Sequence, residues 1–237
     1  MVITGGNGFL GSQFGGFLAK GGVKIVVFDR TGKEPVDITS PGDVKEAVAR
    51  TIKKFGKIDV LIHAAAMDSV PGSPQSASQF LPYEKYPLDI WEKEMKVNLT
   101  GAQVVTQEVA PYMMEKKSGS IIFIASDLAL IAPQNKIYGP GRFKDIAYTT
   151  SKAGMLGLMR TWASYLGSYN VRVNAIAPGG MYHGQPEEFV KKNSELNMLG
   201  RMAREDEYNG PIAYLASDAS SYMTGACMSV DGGRTAW

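Results

Sequence analysis

The chain begins MVITGGNGFLG (residues 1–11): a short β-branched run, then Gly5, Gly8 and Gly11 at a spacing of three. Val2, Ile3 and Thr4 suit a strand, and the segment after Phe9 suits a helix. A strand that turns into a helix through glycines has a physical use. One glycine permits the tight turn, a second lets the main chain approach a pyrophosphate, and a third lets helix and strand pack closely. The helix N-terminus then presents unpaired N–H groups and a positive dipole end to phosphate oxygens. Gly5, Asn7, Gly8, Phe9 and Leu10 are therefore the loop residues expected against a dinucleotide.

A glycine run alone is weak, because any flexible turn uses the same residue; context decides. Here a second β-run, KIVVF at 24–28, ends in Asp29. That carboxylate lies about twenty residues beyond the glycines, where it accepts hydrogen bonds from the adenosine ribose hydroxyls. A 2′-phosphate would be repelled by it, so NAD(H) is the expected cofactor. Arg30 is the counter-signal: a guanidinium can clamp that phosphate, which keeps NADP(H) open.

Further strands are expected near 58–63, 120–125, 171–176 and 226–230. Between them, apolar residues recur at helical spacing, as in Val44, Val48, Ile52 and Phe55, or Met155, Leu158, Met159 and Trp162. Apolar strands alternating with helices predict an α/β chain with a doubly wound parallel sheet, a Rossmann fold, in a single domain over 1–237. Two long loops, 66–87 and 127–146, follow strand ends and are expected to wall a ligand crevice.

Bulk properties exclude several function classes. A net charge of +2 gives no reason to expect a nucleic-acid or membrane surface. No apolar run is long enough to span a bilayer, and no basic stretch leads into an apolar one at the start. The single cysteine, Cys227, forms no internal disulfide and fits a reducing cytoplasm as a small core residue. No metal site is expected.

The chemistry concentrates further along. Tyr148 and Lys152, in YTTSK, stand four residues apart and so on one helix face, and Ser126 closes the strand SIIFIAS. A tyrosine is a poor acid–base catalyst near neutrality unless its phenolate is stabilised. A lysine one turn away does this by lowering the tyrosine pKa, and a serine opposite can hold the substrate oxygen.

With these residues in place, the chain resembles the short-chain dehydrogenase/reductase family over nearly its whole length, from TGGNGFLG to VDGG at 230–233. The resemblance implies hydride transfer at nicotinamide, with Tyr148 as general acid/base, Ser126 orienting the substrate and Lys152 on the nicotinamide ribose. It further implies that Asn98, in VNLTG, holds a water in the proton relay. Asp37 and Ile38 would lie against adenine, Ala64, Ala65 and Ala66 (in HAAA) beside a cofactor ring, and Pro178, Gly179, Gly180 and Met181 along the nicotinamide.

The chain also departs from the family. His63 stands where an asparagine is usual, the Ser126–Tyr148 separation is long, and no threonine follows the PG motif to hold the carboxamide. The glycine spacing is that of the longer, nucleotide-sugar branch, on a chain otherwise like the shorter one. No substrate domain is expected after VDGG. A narrower resemblance, over 179–189 and 199–210, is to dehydrogenases of bacterial amino-sugar and nonulosonic-acid pathways.

The polar loops suit a polyhydroxylated small molecule, with Ser126, Tyr138, Tyr182 and Gln185 as substrate contacts. The expected activity is oxidation or reduction of a sugar-like secondary alcohol or ketone. A 3-oxoacyl-thioester reductase using NADPH and a non-catalytic NAD(H)-binding module are the alternatives. The family's habit of assembly implies a homodimer or homotetramer through helices near 90–116 and 148–168.

Overall fold

A computed structural model describes residues 1–69, 71 and 79–237. The expected loop 66–87 thus lies partly outside the described residues, at 70 and 72–78. Six strands appear among those described: β1 (Val2–Thr4), β2 (Val26–Phe28), β3 (Val60–His63), β4 (Gly119–Ile124), β5 (Val171–Pro178) and β6 (Cys227–Val230). They pair in parallel in the order β2-β1-β3-β4-β5-β6. The helices are α1 (Phe9–Lys20), α2 (Pro41–Phe55), α3 (Leu88–Met95), α4 (Gly101–Lys116), α5 (Ile146–Leu166), α6 (Glu187–Ser194) and α7 (Asn209–Ala216). All six expected strands are present, β2 and β3 each starting two residues late and β5 running on to Pro178.

Strand alternation explains why the strands read as unbroken apolar runs. Leu61, Ile121 and Phe123 point to one face, packing with Val44 and Val48 of α2, Val105 and Val109 of α4 and Met155 and Met159 of α5. Val60, Ile62, Ile122 and Ile124 point to the other, against Phe14 and Leu18 of α1 and Ile212 and Leu215 of α7. Both faces are covered, so every second position must also be apolar.

Local signals set the helix ends. Ser40 caps α2, its Oγ accepting from Asp43 N–H, with Pro41 at the first helical position and Gly56 (φ 74°) closing it in the left-handed region. The apolar stripe of α2 buries Val44 and Val48 but leaves Phe55 exposed at its last turn, where the helix leaves the sheet. Between α3 and α4 the backbone widens into a π turn, Lys96–Thr100. No described helix is long and apolar enough to cross a membrane.

Candidate active site

From β1 the chain moves outward to β2, then crosses back to β3 on the other side of β1. This reversal opens a crevice at the C-terminal ends of the strands. The cleft holds about 800 Å³ and is bordered by the glycine loop, the end of β3, Ser126, the first turns of α5 and the segment after β5.

The glycines divide their labour as the spacing implies. Gly5 has φ +63°, and a β-carbon there would lie 2.6 Å from Ala65 Cα. A β-carbon on Gly11 would run into the Gly5 carbonyl, so the first turn of α1 packs backbone to backbone on the loop. A β-carbon on Gly8 would meet only the Gly5 carbonyl oxygen, 3.1 Å away, and the residue borders the cleft. This gives a phosphate an approach to the main chain, so the cradle fits a dinucleotide.

Asp29 ties loop and sheet together. Its Oδ2 accepts from Asn7 N–H (3.1 Å), and its Oδ1 from the N–H and hydroxyl of Thr31 (3.0 and 2.8 Å). Asp29 and Arg30 both stand at the cleft lip. Asp37 Oδ1 accepts from Thr39 N–H and Oγ1, both at 2.8 Å, and these bonds hold its carboxyl below the usual range. Ile38 and Ala64 to Ala66 complete that wall.

At the far end, α5 carries Tyr148 and Lys152 one turn apart, facing Ser126. Lys152 is buried and donates to the Ile124 carbonyl (2.6 Å), leaving two N–H donors for the cleft. Burial lowers its pKa to about 8. Ser126 Oγ donates to Asp127 Oδ1 (2.9 Å) and accepts from Leu128 N–H (3.2 Å).

The tyrosine differs from the expectation of a depressed pKa. Burial and the Asp68 charge hold the Tyr148 phenol well above its ordinary value, while a hydrogen bond with Ser126 acts in the opposite direction. The Lys152 ammonium lies 5.5 Å from the ring centroid. Desolvation therefore outweighs the lysine in this structure.

Two ion pairs beside this set escaped the sequence analysis. Lys144, almost wholly buried, places Nζ 4.3 Å from the Tyr148 ring centroid and pairs with Asp68 at 2.5 Å. Arg234, after β6, reaches Asp127, with Nε 3.1 Å from Oδ2. Each pair joins segments far apart in sequence.

A third layer holds α5 from behind. Asp145 Oδ1 accepts from Ala147 N–H (2.9 Å), Tyr148 N–H (3.1 Å) and the Tyr86 hydroxyl (2.9 Å). Glu94 of α3 is fully buried, takes a bond from Gln79 Nε2 (2.7 Å) and sits within hydrogen-bonding reach of Asp145. Burial first, and the Asp145 carboxyl second, raise the Glu94 pKa to about 8.

Comparison with known proteins decides the family. A family model described as enoyl-(acyl carrier protein) reductase matches residues 27–235. A 3-oxoacyl-(acyl-carrier-protein) reductase of Thermotoga maritima is 36% identical over 203 residues, covering 84% of this chain and 74% of that protein. The chain belongs to the short-chain dehydrogenase/reductase family. An L-rhamnose 1-dehydrogenase (NAD(P)(+)) of Sphingomonas sp. is 30% identical over 207 residues, 83% of this chain and 73% of the relative. Among solved structures, a short chain dehydrogenase of Leptospira borgpetersenii with bound NAD+ superposes with a TM-score of 0.89 at 26% identity, covering 99% of this chain and 91% of that one. The protein is an NAD(P)-dependent oxidoreductase.

Within this short-chain dehydrogenase/reductase, the departures acquire physical explanations. His63 is buried between strands: Nδ1 lies 2.9 Å from Thr4 Oγ1, which itself accepts from Ala65 N–H (3.2 Å). Burial drops the imidazole pKa to about 3, so the ring is neutral. A neutral histidine here replaces an asparagine as a cross-strand fastener. Asn98, on the π turn, spends its amide on Met67 and Ser151: Oδ1 accepts from Met67 N–H (2.7 Å), while Nδ2 donates to Met67 O and Ser151 Oγ (both 3.0 Å).

The residues expected at the substrate are brought together only in part. Ser126, Tyr138 and Gln185 border the cleft, as do Pro178, Gly179, Gly180 and Met181. Tyr182 does not; it is 53% exposed and turned to the outer surface beside Val190. Gln185 Nε2 instead donates back to the Met181 carbonyl (2.8 Å), folding the segment after β5 on itself. Of the two long loops, Ala66 to Ser69 and Pro71 border the cleft, as do Asp127, Leu128, Tyr138 and Lys144.

Proposed function

We propose that the protein is an NAD(H)-dependent dehydrogenase/reductase acting on a secondary alcohol or ketone of a sugar or sugar derivative. The observation that carries this is the meeting of the Ser126 and Tyr148 hydroxyls beside Lys152, at one end of a cleft whose other end is edged by Asp29. Gly5, Gly8 and Leu10 would cradle the pyrophosphate and Asp29 the adenosine ribose. Asp37 and Ile38 would flank adenine. The free N–H groups of Lys152 would take the nicotinamide ribose, with Ala64 to Ala66 and Pro178 to Met181 around the ring. The bound dinucleotide supplies the hydride acceptor, or in reverse the donor.

In oxidation, Tyr148 as phenolate takes the carbinol proton while Ser126 holds the same oxygen; in reduction the phenol returns it. Ser126 is oriented by Asp127, so its hydroxyl is fixed before substrate enters. The nearby Lys152 charge favours the phenolate once the cleft is filled and water is excluded. Residues 179–189 and 199–210 support the narrower reading, an amino-sugar derivative of surface-glycan synthesis. The outer face of α5, where Tyr165 is exposed beside Trp162, is the proposed site of homodimer or homotetramer assembly.

The test is a panel of sugars, amino sugars and nucleotide sugars run with NAD and NADP in parallel. Turnover of a sugar, with kcat/KM at least tenfold higher for NAD, is expected. Tighter binding of NADPH than NADH overturns the role given to Asp29. A second reading, 3-oxoacyl-thioester reduction, is favoured by the reductase relative. Activity on acetoacetyl thioesters with NADPH, and none on the sugar panel, would replace the first reading with it.

A further inference from the structure

We infer that Arg234 is an oxyanion-binding residue and that the substrate carries a carboxylate or phosphate close to the reacting carbon. This rests on the substrate reading above and narrows it. Arg234 is only 5% exposed, yet it borders the cleft. A guanidinium carries five N–H donors and cannot shed its charge, so a buried one needs acceptors. Among the described residues it has a single acidic neighbour, Asp127, approached through Nε, and Nε itself lacks the geometry of a hydrogen bond. Its Nη groups donate to no described residue.

Asp127 is also an incomplete partner. Its Oδ1 is already engaged by the Ser126 hydroxyl and by Leu128 N–H (2.9 and 2.8 Å). The other basic groups at this end are different: Lys144 spends its charge on Asp68 and a bond on the Ser69 carbonyl, and Lys152 is the group proposed for the nicotinamide ribose. Arg234 alone keeps a planar fork open, and that fork matches the two oxygens of a carboxylate or phosphate.

The chain places this fork deliberately close to the chemistry. Asp231 Oδ1 accepts from Gly233 N–H (3.0 Å) and Oδ2 from Thr235 N–H (2.9 Å), while Gly232 and Gly233 take φ +68° and +86°. The resulting turn sends Arg234 back over the strand ends. Only the Asp127 carboxylate separates its Nε from the Ser126 hydroxyl. An anionic group bound there lies a few bonds from an oxygen held by Ser126, with Tyr138 under the influence of both basic groups.

The experiment compares kcat/KM for gluconate against glucitol and for glucose 6-phosphate against glucose, in wild type, Arg234→Gln and Arg234→Lys. The expected wild-type preference for at least one anionic member is about 10- to 100-fold. Arg234→Gln brings that ratio toward one, chiefly through KM, and Arg234→Lys restores part of it. Preference confined to gluconate identifies a carboxylate, and preference confined to the phosphate ester identifies a phosphate. Ratios near one in wild type, or unchanged in Arg234→Gln, overturn the inference. If none of the four turns over, calorimetry of gluconate and inorganic phosphate on the NADH complex decides: Arg234-dependent binding supports it, and no binding overturns it. Failure to bind NADH or NADPH at all would instead sink the reading of the cleft itself.

Discussion

The Lys144 ammonium stands 4.3 Å from the centre of the Tyr148 ring, with the Asp68 carboxylate paired behind it. The residue proposed to exchange the proton therefore lies in the field of an ion pair as well as of Lys152. Of that pair it is Asp68 that weighs on the phenol, holding its pKa up. Asp68→Asn removes a negative charge that favours the neutral phenol, so the Tyr148 pKa falls. The rising limb of kcat/KM for oxidation then moves to lower pH. A pH–rate profile of wild type and variant checks this; an unmoved or upward-shifted limb refutes it.

Tyr148→Phe keeps the ring against Lys144 and removes the hydroxyl alone. A loss of about 10²–10⁴ in kcat is expected, the range for a positioned acid–base group. Binding of NADH, followed by fluorescence titration, should weaken far less than turnover. Turnover within a few-fold of wild type would remove Tyr148 from the mechanism.

Glu94 links pH to stability. Its folded pKa is raised from about 4.5 to about 8, so the fold keeps a proton that the unfolded chain releases. The stabilisation is complete below about 4.5 and disappears as pH rises through about 8. Melting temperature should therefore fall across that window in wild type. Glu94→Gln, which is neutral at every pH, should show a flatter curve; parallel curves for the two proteins would contradict this.

Gly11→Ala tests the glycine loop without touching a charge. Its β-carbon meets backbone that cannot move without shifting α1 from β1. Overpacking of this kind costs about 1–3 kcal/mol, or roughly 2–10 °C in Tm for a chain of this size. Cofactor KM should rise with it. A normal melting temperature together with a normal KM would show that the loop relaxes freely.

Much of this was legible along the chain because it is local. Strands such as Val60–His63 and Ile121–Ile124 announce themselves by composition, since both sheet faces bury them. Tyr148 and Lys152 share a face through helical periodicity alone. Gly5 and Gly11 follow from the geometry of one strand–turn–helix unit. Tyr182 shows the limit: a polar aromatic after the PG motif reads as a substrate contact, but its side chain is exposed and does not border the cleft that its neighbours Met181 and Gln185 line.

Periodicity and short motifs determined the parallel sheet, the dinucleotide cradle and the Ser126–Tyr148–Lys152 set. Only tertiary structure decided the electrostatics around them: Asp68 with Lys144, Asp127 with Arg234, Glu94 with Asp145. Each pair brings together segments remote in sequence, through turns whose direction depends on a few left-handed glycines and side-chain bonds. Charge interactions depend on distance and on burial, and neither is set until the loops have closed over the strand ends.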